Sequence, residues 1–258
     1  MATSYINCTS DNGIGTIELN RLDVLNALDD TMLSQMEEAF TAFEKNDAIF
    51  IIIFKSAGGK AFAAGADISK LKLATSLHAL QYGMQDFYTK IERSRKVTLA
   101  IIDGFALGGG FELALACDIR IATTNAKFGL PELNLGILPG AGGTQRLPRI
   151  VGKGHALDLI LTGKMISGQE AFDMGAVTYL ADVDAVDTTI ATVVKQITRK
   201  GPIAASLVKL TVHSGADVDM NTALWIEKLS NAVLFGTDDK TEGTSAFIEK
   251  RQANFKNR

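Results

Sequence analysis

The chain has few of the residues that would indicate disulfide or metal stabilisation. Its two cysteines, Cys8 and Cys117, lie far apart and outline no disulfide framework. The three histidines, His78, His155 and His213, follow no spacing typical of a metal site, so we expect no metal. A reducing compartment is favoured, and Cys117 is interpreted as an apolar core residue.

Strong net charge and long apolar runs are absent as well. The formal net charge is −3 and no block of lysines and arginines occurs, which argues against a nucleic-acid partner. No uncharged apolar stretch reaches the length of a membrane span, and the N-terminus lacks the basic and apolar regions of a signal peptide. We therefore expect a cytoplasmic protein with no membrane partner. With 47% apolar residues, it can bury a substantial core.

Several common catalytic motifs are missing. The dinucleotide fingerprint G-x-G-x-x-G fails because Leu113 and Gln145 occupy the last glycine position of its two candidates. The Walker loop fails at Ala61, where serine or threonine should follow Gly-Lys. No G-x-S-x-G elbow occurs. The sequence thus supports neither NAD nor ATP binding, nor a serine hydrolase.

What the sequence does contain is a pair of glutamates in apolar, glycine-rich surroundings. Glu112 follows three glycines that open an apolar helical pattern, where backbone N–H groups and the helix dipole favour an anionic oxygen. Glu132 lies in FGLPE (128–132), shortly before the tight loop GILPGAGG (136–143). Either glutamate could simply be a structural charge at the start of a helix. Because unpaired carboxylates in apolar surroundings are costly, we interpret both as acid–base groups beside a carbonyl.

Four blocks of sequence together resemble the signature of the enoyl-CoA hydratase/isomerase (crotonase) superfamily. They are KAFAAGADI (60–68), GFALGGGFELA (104–114), FGLPE (128–132) and PGAGGTQRL (139–147). The similarity continues to the tail, SAFIEKRQANF (245–255), and so covers essentially the whole chain. It implies an α/β fold, built as a crotonase-like spiral of ββα units.

Hydrophobic patterning predicts two regions. Strand-like runs at 13–19, 50–54, 97–102 and 119–122, with an amphipathic helix at 31–44, indicate α/β layering. Helical stretches follow at 204–212, 222–235 and 241–250. We therefore expect a ββα-spiral catalytic core at 1–200 and a C-terminal α-helical region at 201–258. The resemblance implies that the helical region assembles a homotrimer or a homohexamer, the latter as a dimer of trimers.

The resemblance also implies roles for individual residues. The backbone N–H groups of Ala66 and Gly109 would form an oxyanion hole for a thioester oxygen. Glu112 would activate water, and Glu132 would deliver a proton to C2, with the roles reversed for dehydration. The N–H of Gly140 would position the water.

The coenzyme A part of the substrate is expected to bind along residues 22–28 and 64–68. The binding residues expected there are Leu25, Ala64, Ala66, Asp67 and Ile68, with Lys250 of the same or a neighbouring subunit near a phosphate. Residues 63–66 could instead be a tight connection before a helix capped at Asp67. The chain departs from the family pattern at Asp23, where lysine or arginine is frequent, and at Leu130, where glutamine is frequent.

The implied activity is that of a hydro-lyase. An enoyl-CoA hydratase adds water reversibly, in syn geometry, across the 2,3-double bond of trans-2-enoyl-CoA and yields 3-hydroxyacyl-CoA. It needs no cofactor, since coenzyme A is part of the acyl-CoA thioester substrate. Two alternatives stay open: an enoyl-CoA isomerase that uses mainly Glu132, and a non-catalytic relative that binds RNA. The carboxylate at Glu112 favours the hydratase over the isomerase, and the lack of a basic stripe counts against RNA.

Overall fold

The structure, a computed structural model, describes residues 4–81 and 83–258 and divides the chain into two units. The first unit comprises the residues up to Glu92 together with Thr98–Ile190, and the second comprises Arg93–Val97 together with Ala191–Arg258. The boundary expected near residue 200 falls inside the second unit. A C-terminal region that begins at residue 201 therefore stays a prediction.

Ten strands form two sheets in the described part of the chain. The strands are β1 (Ile6–Asp11), β2 (Ile14–Leu19), β3 (Ile51–Ser56), β4 (Ala61–Ala63), β5 (Val97–Ile102), β6 (Phe105–Leu107), β7 (Ile119–Thr123), β8 (Lys127–Gly129), β9 (Ile166–Ser167) and β10 (Tyr179–Ala181). One sheet has the order β1-β2-β3-β5-β7-β10 and the other the order β4-β6-β8-β9. All four strands predicted from the sequence are confirmed to within two residues at either end.

Eleven α-helices connect and cover these strands in the same described residues. They are α1 (Asp30–Lys45), α2 (Ile68–Leu71), α3 (Ser76–Ala79), α4 (Met84–Glu92), α5 (Gly109–Ala116), α6 (Gly143–Thr162), α7 (Gly168–Asp173), α8 (Val186–Thr198), α9 (Pro202–Ala216), α10 (Met220–Phe235) and α11 (Asp238–Ile248). The predicted helix at 31–44 is confirmed as α1. Asp29 caps it by accepting the N–H of Met32, and Met32, Met36 and Phe40 form its buried face.

The spiral arises because successive strand pairs divide between the two sheets. In β3/β4, β5/β6 and β7/β8, the first strand joins the six-stranded sheet and the second joins the four-stranded sheet. β4, β6 and β8 are parallel neighbours, so their carboxyl ends lie along one edge of the smaller sheet. The segments that follow these strands, 64–67, 108–112 and 130–135, are therefore brought together. They contain the two predicted oxyanion amides and both glutamates.

The second unit is helical and leaves much apolar surface uncovered. Neither α9 nor α10 has a fully buried residue in the single chain. Large exposed apolar side chains on these helices are Val208, Leu210, Val212, Met220, Leu224, Trp225, Leu229, Val233 and Phe235. Across residues 4–81 and 83–258, no helix combines the length and the apolar character needed to cross a membrane.

Candidate active site

Glu112 is a buried carboxyl held by the backbone of a distant loop. It lies in the first turn of α5, all of whose residues are buried, and is itself only 2% exposed. Its Oε1 accepts hydrogen bonds from the N–H groups of Ala141 (2.8 Å) and Gly143 (2.7 Å). Burial raises the pKa of Glu112 to about 7, and the negative charge of Glu132 acts in the same direction, against the two amides. A carboxyl poised near neutral pH suits proton transfer.

Glu132 faces the glycine turn that precedes α5. It follows Pro131 at the start of a 3-10 helix, Glu132–Leu135, directly after β8. A Cβ added to Gly108 would lie only 2.8 Å from Glu132 Oε1, so this carboxyl needs glycine there. Its Oε2 is buried and has no hydrogen-bond partner among the described residues. Burial raises its pKa. A buried carboxyl oxygen without a partner is uncommon and indicates a functional group.

Two glycine turns bring the segment that carries Ala66 close to Gly109. Gly65 (φ 96) and Gly108 (φ 50) adopt left-handed backbone conformations that favour glycine. A Cβ on Gly65 would lie 2.9 Å from the Leu107 carbonyl oxygen and 3.6 Å from Gly109 N. Within the described residues, no acceptor pairs with the N–H of Ala66 or of Gly109. Both donors thus remain available to an anionic oxygen.

The two segments expected to bind coenzyme A are hydrogen-bonded to each other. The Ala64 N–H donates to the Leu25 carbonyl (3.0 Å), and the Leu28 N–H donates to the Gly65 carbonyl (2.8 Å). Leu25 is 39% exposed and Ile68 is 57% exposed. The contacts place exposed apolar side chains beside the turn that carries Ala66.

Asp67 combines a cap with an ion pair. Its side chain caps α2 by accepting the N–H of Ser69. It also accepts the Ser69 hydroxyl at 2.6 Å, and this second hydrogen bond is the main cause that lowers the pKa of Asp67. The helix cap at Asp67, which is expected if residues 63–66 are a tight connection before a helix, is therefore present. Arg21 lies between Asp67 (3.2 Å) and Asp29 (3.3 Å), so its positive charge is offset by two carboxylates. Asp23 is exposed nearby in the sequence and adds a further negative charge.

The remaining predicted residues lie in separate settings. Gly140 is exposed and directly precedes Ala141, whose N–H binds Glu112. Lys250 belongs to the second unit, where it is exposed and has a left-handed backbone (φ 54) just after α11. Among the described residues, no cluster of three or more His, Cys, Asp or Glu side chains could hold a metal ion.

Comparison with known proteins decides the family. The family model described as "Enoyl-CoA hydratase/isomerase" matches residues 9–258. The chain belongs to this family. Its relatives include the crotonyl-CoA hydratase of Syntrophomonas wolfei, 39% identical with 99% of both chains covered. The short-chain-enoyl-CoA hydratase of Clostridium acetobutylicum is 38% identical, with 95% of both chains covered.

Solved structures agree with this family assignment. The enoyl-CoA hydratase from Bacillus anthracis superposes with a TM-score of 0.94 at 36% identity, covering 99% of this chain and 100% of that one. The crotonase-type spiral and the superfamily resemblance expected from the four sequence blocks are thereby confirmed.

Sequence reasoning missed several contacts of the candidate site. It did not identify Ala141 and Gly143 as the partners of Glu112, although their glycine-rich loop was a usable signal. The fully buried Tyr88 donates its hydroxyl to the Gly109 carbonyl at 2.9 Å, and Arg146, from the block at 139–147, is also buried; the sequence predicted neither contact. The hydrogen bonds from Tyr88 to Gly109 and from Arg146 to Glu92 join residues 21 and 54 positions apart, so no local pattern predicts these contacts.

The raised pKa of Glu112 predicts a cost to stability at high pH. Folding raises this pKa from 4.5 to about 7, so the folded state holds the proton more tightly than the unfolded chain does. The resulting stabilisation is complete below pH 4.5 and is lost as the pH rises through 7. At pH 8 we expect the free energy of unfolding of Glu112→Gln to exceed that of the wild type by on the order of 1 to 3 kcal/mol, which raises its Tm. Near pH 5 the two proteins should have the same Tm.

Calorimetric scans of both proteins at pH 5 and pH 8 test this expectation. Glu38→Gln, on the exposed face of α1, is the matched control and should show no such pH-dependent gain. A Tm difference between Glu112→Gln and the wild type that is equal at both pH values would contradict the assigned titration.

Proposed function

We propose that this chain is an enoyl-CoA hydratase, a hydro-lyase that adds water to trans-2-enoyl-CoA and releases 3-hydroxyacyl-CoA. The observation that carries the proposal is a pair of carboxyls with raised pKa values, the buried Glu112 and the half-buried Glu132, beside two unpaired backbone amides. The relatives named for crotonyl-CoA and short-chain enoyl-CoA support a short acyl chain.

The proposed oxyanion hole consists of the N–H groups of Ala66 and Gly109. Attack of water on C3 moves negative charge onto the thioester oxygen, so fixed donors stabilise the transition state more than the substrate. The support is the close approach of the Gly65 turn to Gly109 N. Gly109 is also the first residue of α5, where the helix dipole favours negative charge.

The two glutamates divide the proton transfers. Glu112 removes a proton from water as the oxygen bonds to C3, and Glu132 gives its proton to C2, so H and OH add across the double bond. Dehydration reverses both transfers. Burial raises the pKa of both carboxyls, and the negative charge of Glu132 raises the pKa of Glu112 further. Oε1 of Glu112 is occupied by two amides, which leaves its Oε2 for the water, with the N–H of Gly140 as second partner.

The finer properties of the protein follow from the same interpretation. No cofactor takes part, because coenzyme A belongs to the substrate. The uncovered apolar faces of α9 and α10 support assembly into homotrimers, and into hexamers as pairs of trimers. The proposed location is cytoplasmic, where cysteines such as Cys8 and Cys117 stay reduced.

Mixing the purified protein with crotonyl-CoA tests the proposed activity directly. Hydration removes the conjugated double bond, so the enoyl-thioester absorbance should fall. If the protein instead shifts 3-enoyl-CoA to 2-enoyl-CoA far faster than it hydrates 2-enoyl-CoA, the isomerase assignment replaces the hydratase. Absence of both reactions would contradict an enzymatic role.

A charge reversal at Asp23 should strengthen coenzyme A binding. Arg21 is already neutralised by two aspartates, so the exposed carboxylate of Asp23 leaves this segment negative where phosphates are proposed to bind. We expect Asp23→Lys to lower KM by a factor corresponding to about 0.5 to 1 kcal/mol, with less effect at high salt. Lys250→Ala should raise KM and spare kcat.

Measuring KM for crotonyl-CoA against ionic strength in both variants decides the matter. Asp30→Lys, an exposed charge reversal in the first turn of α1, is the control for a general change in net charge. If Asp23→Lys and Asp30→Lys changed KM equally, or if Lys250→Ala left KM unchanged, the phosphates would have to bind to other residues. Lys70 and Lys72 would be the next residues to test.

A further inference from the structure

The loop that holds Glu112 is itself held by a second set of side chains. Residues 139–143 supply the two N–H groups that fix Glu112 Oε1. At Ala141 the backbone is held at both ends, because its N–H donates to Glu112 and its carbonyl accepts from Nη1 of Arg146 at 2.9 Å. The position of the Arg146 guanidinium therefore helps to determine where the Glu112 carboxyl lies.

Arg146 is in turn oriented by Glu92, the last residue of α4. The guanidinium Nε and Nη2 donate to the two carboxylate oxygens of Glu92, at 3.1 and 3.0 Å, in a bidentate pair. The backbone of Gly142 bends around the guanidinium with φ 105, and a Cβ there would lie 2.0 Å from Nη1. The loop conformation thus accommodates the arginine at position 146 and leaves no room for a side chain at position 142.

A purely structural role is the alternative for this ion pair. Arg146 is buried and the Glu92 side chain is about one quarter exposed, so the pair could simply join α4 to α6. Such pairs contribute little net stability, because the desolvation of the charges offsets their attraction. The hydrogen bond from Arg146 to the Ala141 carbonyl distinguishes the two possibilities, since it connects the pair to the Glu112 loop.

We propose that Arg146 and Glu92 are positioning residues that hold the 139–143 loop so that its amides fix one oxygen of Glu112 and direct the other to the attacking water. This inference rests on the proposed hydratase activity. Neither residue touches the substrate in this arrangement. Their effect reaches the reaction through the geometry of Glu112, where small displacements are costly.

Arg146→Lys tests the role of the guanidinium, because it keeps the positive charge and removes the fork. We expect kcat for crotonyl-CoA hydration to fall about 10- to 100-fold, with KM changed less than about threefold. Arg149→Lys is the control: this exposed arginine lies one turn further along α6 and donates to the Gln145 carbonyl. It should retain wild-type kcat and KM.

The protonation of Glu112 provides a measurement that a merely structural pair would not alter. The charged or titratable groups that act on Glu112 are Glu132, Arg146 and Tyr88. In Arg146→Lys the charge of Glu132 and a positive charge at position 146 persist and Tyr88 stays neutral, while the amides of the loop are no longer held against Oε1. Because those amides lower the pKa of Glu112, its titration should move to higher pH. Infrared spectra, with the Glu112 band assigned by its loss in Glu112→Gln, follow this titration without any turnover.

Glu92→Ala provides a second test if Arg146→Lys fails to fold. The carboxylate of Glu92 is partly exposed, so its removal leaves no sealed cavity. We expect kcat to fall about 3- to 10-fold at nearly constant KM, because the guanidinium loses its orientation. The double variant should fall no further than Arg146→Lys alone, since both changes break one connection.

The outcomes separate this inference from the proposed function. Wild-type hydration together with unchanged kcat in Glu92→Ala, or an unchanged Glu112 titration in a folded Arg146→Lys, would overturn the positioning role and leave the hydratase assignment intact. A wild type that does not hydrate crotonyl-CoA would overturn the function instead. In that case a shifted infrared titration in Arg146→Lys would still support the connection from Arg146 to Glu112.

Discussion

Glu112→Gln is expected to lower kcat for hydration of crotonyl-CoA by at least ~10²-fold, with little change in KM. Glutamine cannot take a proton from water at neutral pH. Its side-chain oxygen can still accept from the amides of Ala141 and Gly143, so the loop and the fold should be preserved. The decay of enoyl absorbance under saturating substrate measures kcat directly.

Glu132→Gln is the matched comparison, because it removes the other carboxyl and leaves Glu112 in place. Both variants should lose hydration, yet they should differ in isotope exchange. With 3-hydroxyacyl-CoA, Glu112→Gln should still exchange some of the C2 protons with solvent, because Glu132 remains. Glu132→Gln should lose this exchange. Near-normal turnover in either variant would remove that residue from the mechanism, and identical exchange in both would refute the division of roles.

Replacing the amide N–H of Gly109 by an ester oxygen should lower kcat by ~10²- to 10³-fold, which corresponds to about 3 to 4 kcal/mol. The change deletes one proposed oxyanion donor and adds no side chain. Side-chain substitutions at Gly109 are harder to interpret, because a Cβ would lie 2.9 Å from Met84 Sδ and displace it.

An ester at Gly154 is the control for the chemistry of the replacement. This glycine is exposed in α6, and nothing lies within 4 Å of an added Cβ. Its ester should leave kcat near the wild-type value. If the Gly109 ester matched the Gly154 ester in kcat, the thioester oxygen would have to bind at other donors.

Features governed by local chemistry could be predicted from the sequence. The spacing of Met32, Met36 and Phe40 and the capping residue Asp29 depend only on near neighbours, and α1 begins and ends within one residue of its predicted bounds. The same holds for the first turn of α5, where three glycines followed by Glu112 already indicated an anion-stabilising turn. The block FGLPE identified Glu132 as a candidate, but it did not predict that the carboxyl faces Gly108.

Only the tertiary structure determined how these parts meet. The parallel register of β4, β6 and β8 places the Gly65 turn, Gly109 and Glu132 at one edge, and that register depends on packing across successive turns of the spiral. The bonds from Ala141 and Gly143 to Glu112 span 29 and 31 residues. The bond from Arg146 to Glu92 spans 54 residues. Burial, and with it the raised pKa of Glu112, is a property of the assembled core, since desolvation depends on everything that surrounds a carboxyl and not on its neighbours in sequence. The sequence by itself thus determined which residue types the site contains and the turns that carry them, while packing decided their partners, their geometry and their protonation.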